Sequence, residues 1–411
     1  MNFKKIQVNK IYNYIIVGYC FLISASVIFS CKTNAAFSND YENVIQDIKK
    51  IYAPDARVTL FDIKTENKNG KLIVKGETSN LEAKKILLDN LGKKNIEIKD
   101  EIKVLPDSED NFNDFGIVRL SVCNIRTKPQ HSAELATQAI LGTPVKILKK
   151  SDDWLMIQTP DHYIGWVDNA GIKSMNEIER ENWMGSRKIV SVNRGGYVRE
   201  TEDKNSNIIS DLVLGSILVN KGHSSDNLHW IAEFPDGRHG YVEKVDFMEL
   251  QDFLEFSKKT DNHDIIITAL QLLGAPYMWG GTSEKAMDCS GFTKTVFFRN
   301  GYIIPRDASQ QVLVGDKVKL DENLSDLQSG DLIFFGNLRD DKTERITHVA
   351  IYLGNGKIIH AAGEVKIQSL KKGDPDFSEA RFKSMLQARR YITSRSNDDL
   401  KRIYEDFSYF K

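Results

Sequence analysis

Residues 115–250 contain an internal repeat, and this repeat limits the folds open to the middle of the chain. The segment ILGTPVKIL at 140–148 recurs as VLGSILVNK at 213–221. In the same way, TPDHYIGWV at 159–167 recurs as FPDGRHGYV at 234–242. The period is about 75 residues, and short alternating strands between turn residues fill each copy. The pattern predicts two small β-barrels in tandem.

Both copies resemble bacterial SH3 (SH3b) domains, and NIRTKPQHSAELATQAILGTPVKIL carries most of this resemblance. Arg126 in the first copy corresponds to Arg199 in the second. The resemblance implies one SH3b domain over residues 112–180 and a second over residues 181–250. Domains of this family bind cell wall or shape a neighbouring site, so one of these roles is implied here.

The N-terminus has the features of an export signal. Three lysines precede the apolar run YIIVGYCFLISASVIFS, and no acidic residue occurs before Asp40. The run is short for a membrane-spanning helix and ends at Cys31, where a lipoprotein signal has its acceptor cysteine. A signal peptide over 1–31 with lipidation at Cys31 predicts a cell-envelope protein, a periplasmic or outer-membrane lipoprotein. Phe29 is larger than a lipobox prefers, so a secretory signal and an uncleaved membrane anchor remain alternatives.

Residues 32–111 predict a small α+β module. YENVIQDIKKIY and LEAKKILLDNLG have helical apolar spacing, two alternating runs flank KNG as a hairpin, and IEIKDEIKVLP is a strand. The order helix, strand, strand, helix, strand resembles the BON-like modules of envelope proteins. A simple α+β spacer is the alternative, and both stay open.

Charge and cysteine content exclude some classes of protein. The formal net charge is -1, with 56 basic and 57 acidic residues, which gives no electrostatic reason to expect a nucleic acid partner. Of the four cysteines, only Cys123 and Cys289 lie beyond the signal, so we expect no disulfide framework. Cys123 alternates like a strand residue, which predicts a small core hydrophobe.

Cys289 lies where a glycine-rich loop changes to helical spacing. DCSGFTKTVFFRNG predicts a helix capped by Asp288 and closed by Gly301. Cys289 then falls in the first turn, where unpaired N–H groups and the helix dipole favour thiolate over thiol. The alternative is a cysteine buried in the core at the start of a helix.

A cysteine nucleophile needs a base, and two histidines are placed to supply one. His348 in THVAIYLG and His360 in KIIHAAG lie in consecutive predicted strands. A three-residue hairpin loop, Gly354 to Gly356, puts His348 opposite Ala362 and makes His360 its diagonal neighbour on one face. A two-residue loop would put the histidines on opposite faces.

Six motifs occur in the order of the NlpC/P60 cysteine peptidases: PYMWGG, DCSGF, PRDASQQ, SGDLIFFG, THVAIYLG and IIHAAG. The resemblance covers about residues 265–395. It implies a papain-like α+β fold in which Cys289 attacks the substrate and His348 acts as base and then acid. His360 would orient His348, and Tyr277 matches the family tyrosine near the oxyanion hole.

The expected fold class follows from these segments. We expect a multidomain chain with the small α+β module, two SH3-like β-barrels and a papain-like α+β NlpC/P60 domain over 251–395. Residues 396–411 form a C-terminal tail with the pattern of a short amphipathic helix.

Two SH3b domains before an NlpC/P60 domain resemble a subclass, the γ-D-glutamyl-L-diamino acid endopeptidases of dipeptidyl-peptidase VI type. In that subclass the first SH3b domain closes the cleft and holds a free N-terminal amine. A buried ammonium needs a carboxylate and further acceptors, and Glu134 and Tyr163 are the best matches. Arg238 replaces Tyr163 in the second copy and would repel an ammonium.

Other residues match positions that line the substrate in the subclass. These are Asp288, Ser290 and Ser309. Asp288 has the alternative role of a helix cap, and Arg306 with Asp307 are candidates for a structural ion pair.

The leading hypothesis is a cysteine endopeptidase that cleaves the γ-D-Glu–diamino acid bond of peptidoglycan stem peptides with a free L-Ala. A hydrolase that remodels intact wall and a wall-binding lipoprotein with a vestigial catalytic domain are the alternatives. The expected partners are stem peptides and, through the lipid, a membrane; we expect no nucleic acid and a monomer. Neither metal-site spacing nor a dinucleotide or Walker glycine pattern occurs, so no cofactor is expected.

Overall fold

A computed structural model describes residues 41–68, 71–94, 97–107, 109, 112–392, 400–405 and 409. The predicted signal peptide and the lipidated Cys31 lie outside the described residues. The chain divides into two compact units between Asp107 and Ser108, and each unit is described by itself. Among the described residues, no helix is long and apolar enough to cross a membrane.

The N-terminal unit packs two helices on a three-stranded sheet, in the element order that the sequence predicts. Strand β2 pairs antiparallel with β1 and parallel with β3. Helix α2 begins at Asn80, whose side chain accepts a hydrogen bond from the Ala83 amide. The elements are α1 (41–52), β1 (Phe61–Lys68), β2 (Lys71–Thr78), α2 (Leu81–Gly92) and β3 (Ile98–Val104). The likeness to BON-like modules stays a prediction.

The first half of the repeat forms a seven-stranded antiparallel sheet, called here the first β-domain. Its strand order is β10-β4-β7-β8-β9-β5-β6. Cys123 is buried in its core, as predicted, and is a free thiol. The strands are β4 (Phe115–Val118), β5 (Val122–Arg126), β6 (Leu135–Ile140), β7 (Pro144–Ser151), β8 (Trp154–Gln158), β9 (Ile164–Asp168) and β10 (Ile172–Met175).

The second half of the repeat, the second β-domain, follows helix α3 (Glu177–Gly185). Its strand order, β17-β11-β14-β15-β16-β12-β13, reproduces that of the first β-domain strand for strand. Its strands are β11 (Lys188–Ser191), β12 (Tyr197–Arg199), β13 (Ile208–Asp211), β14 (Ile217–His223), β15 (His229–Glu233), β16 (His239–Glu243) and β17 (Phe247–Glu249).

The repeated arginine has the same structural task in both copies. Arg126 donates a hydrogen bond to the carbonyl of Ala133, and Arg199 donates one to the carbonyl of Ser206, each at 2.8 Å and each seven residues along the chain. Each arginine ends a strand and closes the loop that follows it. The sequence repeat is therefore a repeat of structure.

The C-terminal domain places helices against a six-stranded antiparallel sheet of order β21-β26-β22-β23-β24-β25. Its helices are α4 (Leu250–Ser257), α5 (Asn262–Gln271), α6 (Cys289–Arg299), α7 (Ala308–Gln311) and α8 (Glu379–Lys383). Its strands are β18 (Thr282–Ser283), β19 (Ala286–Met287), β20 (Tyr302–Ile303), β21 (Asp316–Val318), β22 (Leu332–Leu338), β23 (Glu344–Gly354), β24 (Lys357–Ala362), β25 (Glu364–Ser369), β26 (Met385–Arg390) and β27 (Lys401–Arg402).

Helix α6 is fixed to this sheet by its apolar face. Phe292, Val296 and Phe297 are fully buried in one core with Val349 and Ile351 of β23. Burial of each such side chain stabilises the fold by about 1.5–3 kcal/mol. The sheet therefore sets the position of the start of α6, where Cys289 lies.

The predicted helix in the C-terminal tail is wrong for the residues described there. Lys401–Arg402 form strand β27, which pairs antiparallel with Tyr302–Ile303. The backbone of this short segment hydrogen-bonds to the edge offered by β20, and Ile403 beside it is buried. Pairing with a neighbouring strand overrides the helical spacing of the sequence.

Candidate active site

Cys289 is the first residue of α6, and the loop before it packs tightly on the helix start. Asp288 is the N-cap, and its side chain accepts a hydrogen bond of 2.7 Å from the Gly291 amide. A Cβ at Gly291 would lie 1.9 Å from the carbonyl oxygen of Gly281, so only glycine fits there. The first turn of the helix is thereby held against the loop that carries Tyr277 and Trp279.

The expectation of a resting thiolate at Cys289 is wrong, although the helix start acts in the predicted direction: the backbone amide of Ser290 lowers the pKa of the thiol. Burial, followed by the negative charge of Asp288, raises its pKa to about 11. A backbone hydrogen bond from Val349 and the charge of Arg306 oppose this rise but do not outweigh it. The proton of the thiol must therefore pass to a base before the sulfur can attack.

The two histidines lie on one face, although the hairpin loop between them differs from the prediction. The turn has two residues, Asn355 and Gly356, with φ of 52° and 77°, because Gly354 pairs with Lys357. A bulge at Leu353 takes up the extra residue. In the strand body Ile351 pairs with Ile359, which is the predicted register, so the bulge preserves the shared face.

The imidazoles of His348 and His360 are directly hydrogen-bonded. His348 Nε2 lies 2.7 Å from His360 Nδ1, and the rings are nearly perpendicular. His360 Nε2 in turn lies 2.8 Å from Oε1 of Gln368 on β25. Sequence reasoning missed Gln368, whose signal is the alternation in EVKIQS: β24 pairs His360 with Lys366, which makes Gln368 a diagonal neighbour.

The amide oxygen of Gln368 fixes the proton positions along this chain. An oxygen only accepts, so His360 Nε2 carries a hydrogen and His360 Nδ1 is a bare acceptor. His348 Nε2 must then carry a hydrogen that it donates to His360. The remaining nitrogen, His348 Nδ1, has an open lone pair and is the atom able to take a proton.

Both histidines are neutral at ordinary pH. Burial, followed by the charge of Arg381, holds the pKa of His348 well below its ordinary value of 6.5. The same two causes in the same order lower the pKa of His360 to about 4. Arg381 is a second residue that sequence reasoning missed, because no motif marks the short helix α8 on which it lies.

Tyr277 is in the loop between α5 and α6 and is tied to the sheet by its backbone. Its amide donates a hydrogen bond of 2.9 Å to the carbonyl of Gly363, at the end of β24. Burial, then the negative charges of Cys289 and Asp288, raise its pKa to about 12. The phenol stays protonated and able to donate a hydrogen bond beside the cysteine.

Asp288 and Arg306 form a buried ion pair below the nucleophile. Arg306 is fully buried and donates two hydrogen bonds to the carboxylate of Asp288, at 2.6 and 3.0 Å, and one to Ser290 Oγ. The expected pair of Arg306 with Asp307 is secondary, because that distance is 3.9 Å. Both oxygens of Asp288 are thus occupied by protein groups, which fits the helix-cap alternative.

The first β-domain contacts the catalytic domain beside the nucleophile. Arg306 donates a hydrogen bond of 2.9 Å to Thr137 Oγ1, and the Thr282 amide donates one of 3.0 Å to Gln138 Oε1. A buried ion pair joins Lys294 of α6 to Asp161. These contacts fix the first β-domain against the loop and helix that carry Cys289.

The candidate amine-binding residues lie at this contact. Glu134 is exposed, and its Oε1 accepts a hydrogen bond of 2.8 Å from Trp279 Nε1. Tyr163 is buried, and its hydroxyl lies 3.4 Å from Asp307 Oδ2, at the start of α7. Ser309 is exposed on α7. Trp279, 64% exposed, is a third residue that the sequence analysis did not single out.

A deprotonable thiol, a neutral base and a residue orienting that base together make the arrangement of a cysteine peptidase. Residues 274–381 match the model of the NlpC/P60 family, and residues 125–172 match that of the bacterial dipeptidyl-peptidase Sh3 domain. The chain belongs to the NlpC/P60 family and is a cysteine peptidase. Among the described residues, no cluster of three or more His, Cys, Asp or Glu is able to hold a metal ion.

Relatives and one solved structure extend this likeness beyond the catalytic domain. The chain is 29% identical over 266 residues to dipeptidyl-peptidase 6 of Lysinibacillus sphaericus, covering 63% of this chain and 93% of that protein. It is 30% identical over 273 residues to the gamma-D-glutamyl-L-lysine dipeptidyl-peptidase of Bacillus cereus, covering 63% and 76%. An NlpC/P60 family protein from B. cereus has the same fold, with a TM-score of 0.57 and 24% identity over 67% of this chain and 99% of that one.

Proposed function

We propose that this protein cleaves the bond between γ-D-glutamate and a diamino acid in peptidoglycan stem peptides whose N-terminal L-Ala is free. The names of two relatives, each a gamma-D-glutamyl-L-lysine dipeptidyl-peptidase, support the choice of bond. The single observation that carries the proposal is the hydrogen-bonded series His348–His360–Gln368, which leaves a proton-accepting nitrogen on the strand next to Cys289.

The chemistry is acyl transfer through a thioester. His348 Nδ1 takes the proton from the Cys289 thiol as the sulfur attacks the γ-carbonyl carbon of D-glutamate. The Cys289 amide and the Tyr277 hydroxyl donate hydrogen bonds to the oxyanion that forms. His348 then gives its proton to the leaving amine, and the amide C–N bond breaks. Water attacks the thioester with His348 again as base, releasing L-Ala-γ-D-Glu and restoring the thiol.

The requirement for a free amine rests on Glu134 and Tyr163 of the first β-domain. Glu134 brings an exposed carboxylate to the loop before Cys289, and its described partner there, Trp279 Nε1, is uncharged. A carboxylate held by a neutral donor keeps its negative charge for an incoming ammonium. The matching position to Tyr163 in the second β-domain is Arg238, which pairs with Asp236 instead.

A free L-Ala amine occurs only on peptides already cut from the glycan. The proposed specificity therefore fits recycling or scavenging of released peptides better than remodelling of intact wall. An exported lipoprotein would meet such peptides in the cell envelope, which is the location the sequence predicts.

The test compares two substrates by mass spectrometry of the products: L-Ala-γ-D-Glu-L-Lys and the same peptide acylated on L-Ala. We expect L-Ala-γ-D-Glu from the free peptide and at least about 10-fold slower turnover of the acylated one, since a charge-assisted bond contributes about 1.5–3 kcal/mol. Cys289→Ala should abolish turnover. Glu134→Gln should slow the free peptide selectively, whereas Glu181→Gln, an exposed carboxylate on α3, serves as control.

Two results would count against the proposal. Equal rates on the free and acylated peptides would remove the amine site and favour a wall-remodelling hydrolase. Turnover retained in the Cys289→Ala variant would remove the assigned nucleophile.

A further inference from the structure

Arg381 is a cation beside the catalytic histidine pair that the mechanism does not use. It lies in the short helix α8 and is half-buried. Its guanidinium carbon is 5.6 Å from the centre of the Phe335 ring, and that ring is 5.7 Å from the ring of His348. Phe335 is fully buried, so the guanidinium is held at one end of a packed stack next to the base.

The charge of Arg381 is not neutralised within the part of the chain that the structure describes. Two other cations of the catalytic domain are paired with carboxylates: Arg306 with Asp288, and Lys294 with Asp161. Arg381 has its contact with Phe335 but no ion pair with a described residue. A guanidinium half withdrawn from water without a carboxylate partner is costly, and a ligand anion would relieve that cost.

The groups near Arg381 indicate which part of a bound substrate would lie beside it. Its charge is felt by Cys289, Tyr277 and both histidines, so it lies at the reacting groups. The stack through Phe335 places it on the side of His348, the residue that gives a proton to the leaving amine. Glu134, in contrast, contacts the loop before Cys289. The cation thus borders the part of the substrate that departs.

We infer that Arg381 binds a carboxylate of the leaving diamino acid or of the peptide attached to it. In an amino acid the α-carboxylate is joined to the same carbon as the α-amine, so the atom that takes the proton from His348 brings a carboxylate close to it. Three sources offer this group: the α-carboxylate of a tripeptide, the C-terminal carboxylate of a D-Ala extension, and the side-chain carboxylate of diaminopimelate. This inference rests on the proposed function.

Binding at Arg381 also assists the chemistry. The guanidinium opposes formation of the imidazolium at His348, and the neighbouring His360 acts in the same direction. A substrate carboxylate on Arg381 neutralises the opposing charge at the moment when His348 must accept a proton. Part of the recognition should therefore appear in kcat and not only in KM.

The experiment uses four peptides with a free L-Ala: L-Ala-γ-D-Glu-L-Lys as acid and as C-terminal amide, the L-Lys-D-Ala tetrapeptide acid, and the diaminopimelate tripeptide with its α-carboxyl amidated. We expect the full-length protein to cleave at least one carboxylate-bearing peptide about 10- to 100-fold faster than the tripeptide amide. The carboxylate-bearing peptide that is cleaved faster by this factor identifies which of the three carboxylates binds Arg381. Arg381→Gln should abolish the discrimination, so that the variant cleaves that peptide and the amide at equal rates.

Two control variants separate recognition from folding. Lys383→Gln neutralises an exposed cation on the same helix, paired with Glu379, and should keep the discrimination. Arg381→Lys should recover part of it. The acid limb of kcat/KM should move to higher pH in Arg381→Gln, because the cation that disfavours the imidazolium is gone, and a purely structural residue would not move it.

The outcomes distinguish the two proposals. If the protein cleaves all four peptides at equal rates, or if Arg381→Gln keeps the discrimination, the carboxylate site is refuted while the proposed function stands. If none of the four is cleaved, the proposed function fails and the inference fails with it. A loss of amide turnover in Arg381→Gln would show that the residue supports the fold and not recognition.

Discussion

Replacing Gln368 by methionine should slow catalysis by removing the group that selects the useful tautomer of His348. In the native chain, His360 Nε2 donates to Gln368 Oε1 and His348 Nε2 donates to His360 Nδ1, which leaves His348 Nδ1 bare. Methionine has a similar size but is only a weak acceptor. In the variant, the tautomer that keeps His348 Nδ1 bare leaves the N–H at His360 Nε2 without a hydrogen-bond acceptor.

The size of the effect follows from the burial of His360, which has no exposed surface. Water does not replace the lost acceptor, and a buried unsatisfied donor costs about 1–3 kcal/mol. The reversed tautomer, with the hydrogen on His348 Nδ1, presents a bare nitrogen to methionine and avoids this cost. The population able to accept a proton from Cys289 should therefore fall about 5- to 150-fold, since a tenfold change corresponds to 1.36 kcal/mol.

The assay is steady-state hydrolysis of L-Ala-γ-D-Glu-L-Lys, with kcat and KM determined separately. We expect kcat to fall by this factor and KM to change little, because Gln368 contacts the histidine and not the substrate. Gln368→Glu, which keeps an acceptor at the same place, should retain most of the activity. Nitrogen NMR shifts of His348 should show the protonated atom exchanging from Nε2 to Nδ1 in the methionine variant. A Gln368→Met enzyme with kcat within 2-fold of native would refute the reasoning.

Four further measurements test the same site and its surroundings. Asp288→Ala should reduce the free energy of chemical unfolding by about 3–5 kcal/mol, because it leaves a buried guanidinium without its partner; a loss near 1 kcal/mol would mean that only a helix cap was lost. The acid limb of kcat/KM should lie below pH 6.5, because burial lowers the pKa of His348 and keeps the base neutral, and a limb above that pH would contradict this. The free energy of unfolding should fall as the pH drops from about 6.5 to about 4, because over that range the unfolded chain binds a proton at His360 that the folded chain does not bind. A thermal unfolding midpoint that stays constant over that range would contradict this expectation. Gly280→Ala should lower activity far more than Gly274→Ala. Both glycines have φ near +80°, but only a Cβ at Gly280 would collide with the first β-domain, at 2.3 Å from a carbonyl oxygen. Equal activities of the two variants would show that this contact is unimportant.

The sequence predicted the elements of the site well because they depend on local rules. The cap at Asp288 and the glycine at 301 fix a helix that begins at Cys289, and alternation places both histidines on one face of the hairpin. The loop length was wrong, but the bulge at Leu353 compensates. Spacing alone does not show a bulge, since a bulge exchanges one loop residue for one strand residue without changing the sequence pattern.

The residues that sequence reasoning missed are those whose role depends on distant contacts. Gln368 lies in a third strand, β25, and Arg381 belongs to a helix of five residues that no motif marks. The protonation state of Cys289 was misjudged for the same reason. The helix dipole is a local property, whereas the burial that raises the pKa of the thiol comes from the sheet packed over it.

The charged side chains of the site form two groups: those paired with an opposite charge within the protein, and those without a charged partner among the described residues. The fully buried Arg306 is compensated within the protein by Asp288, and such a pair fixes the geometry of the loop without attracting a ligand. Glu134 and Arg381 are different, because one has a neutral donor as its described partner and the other an aromatic ring. The first is negative and borders the loop of the nucleophile; the second is positive and borders the base. A peptide with a free amine before the scissile bond and a carboxylate after it would complement both, and this is the selectivity that the proposed function and the proposed carboxylate site together predict.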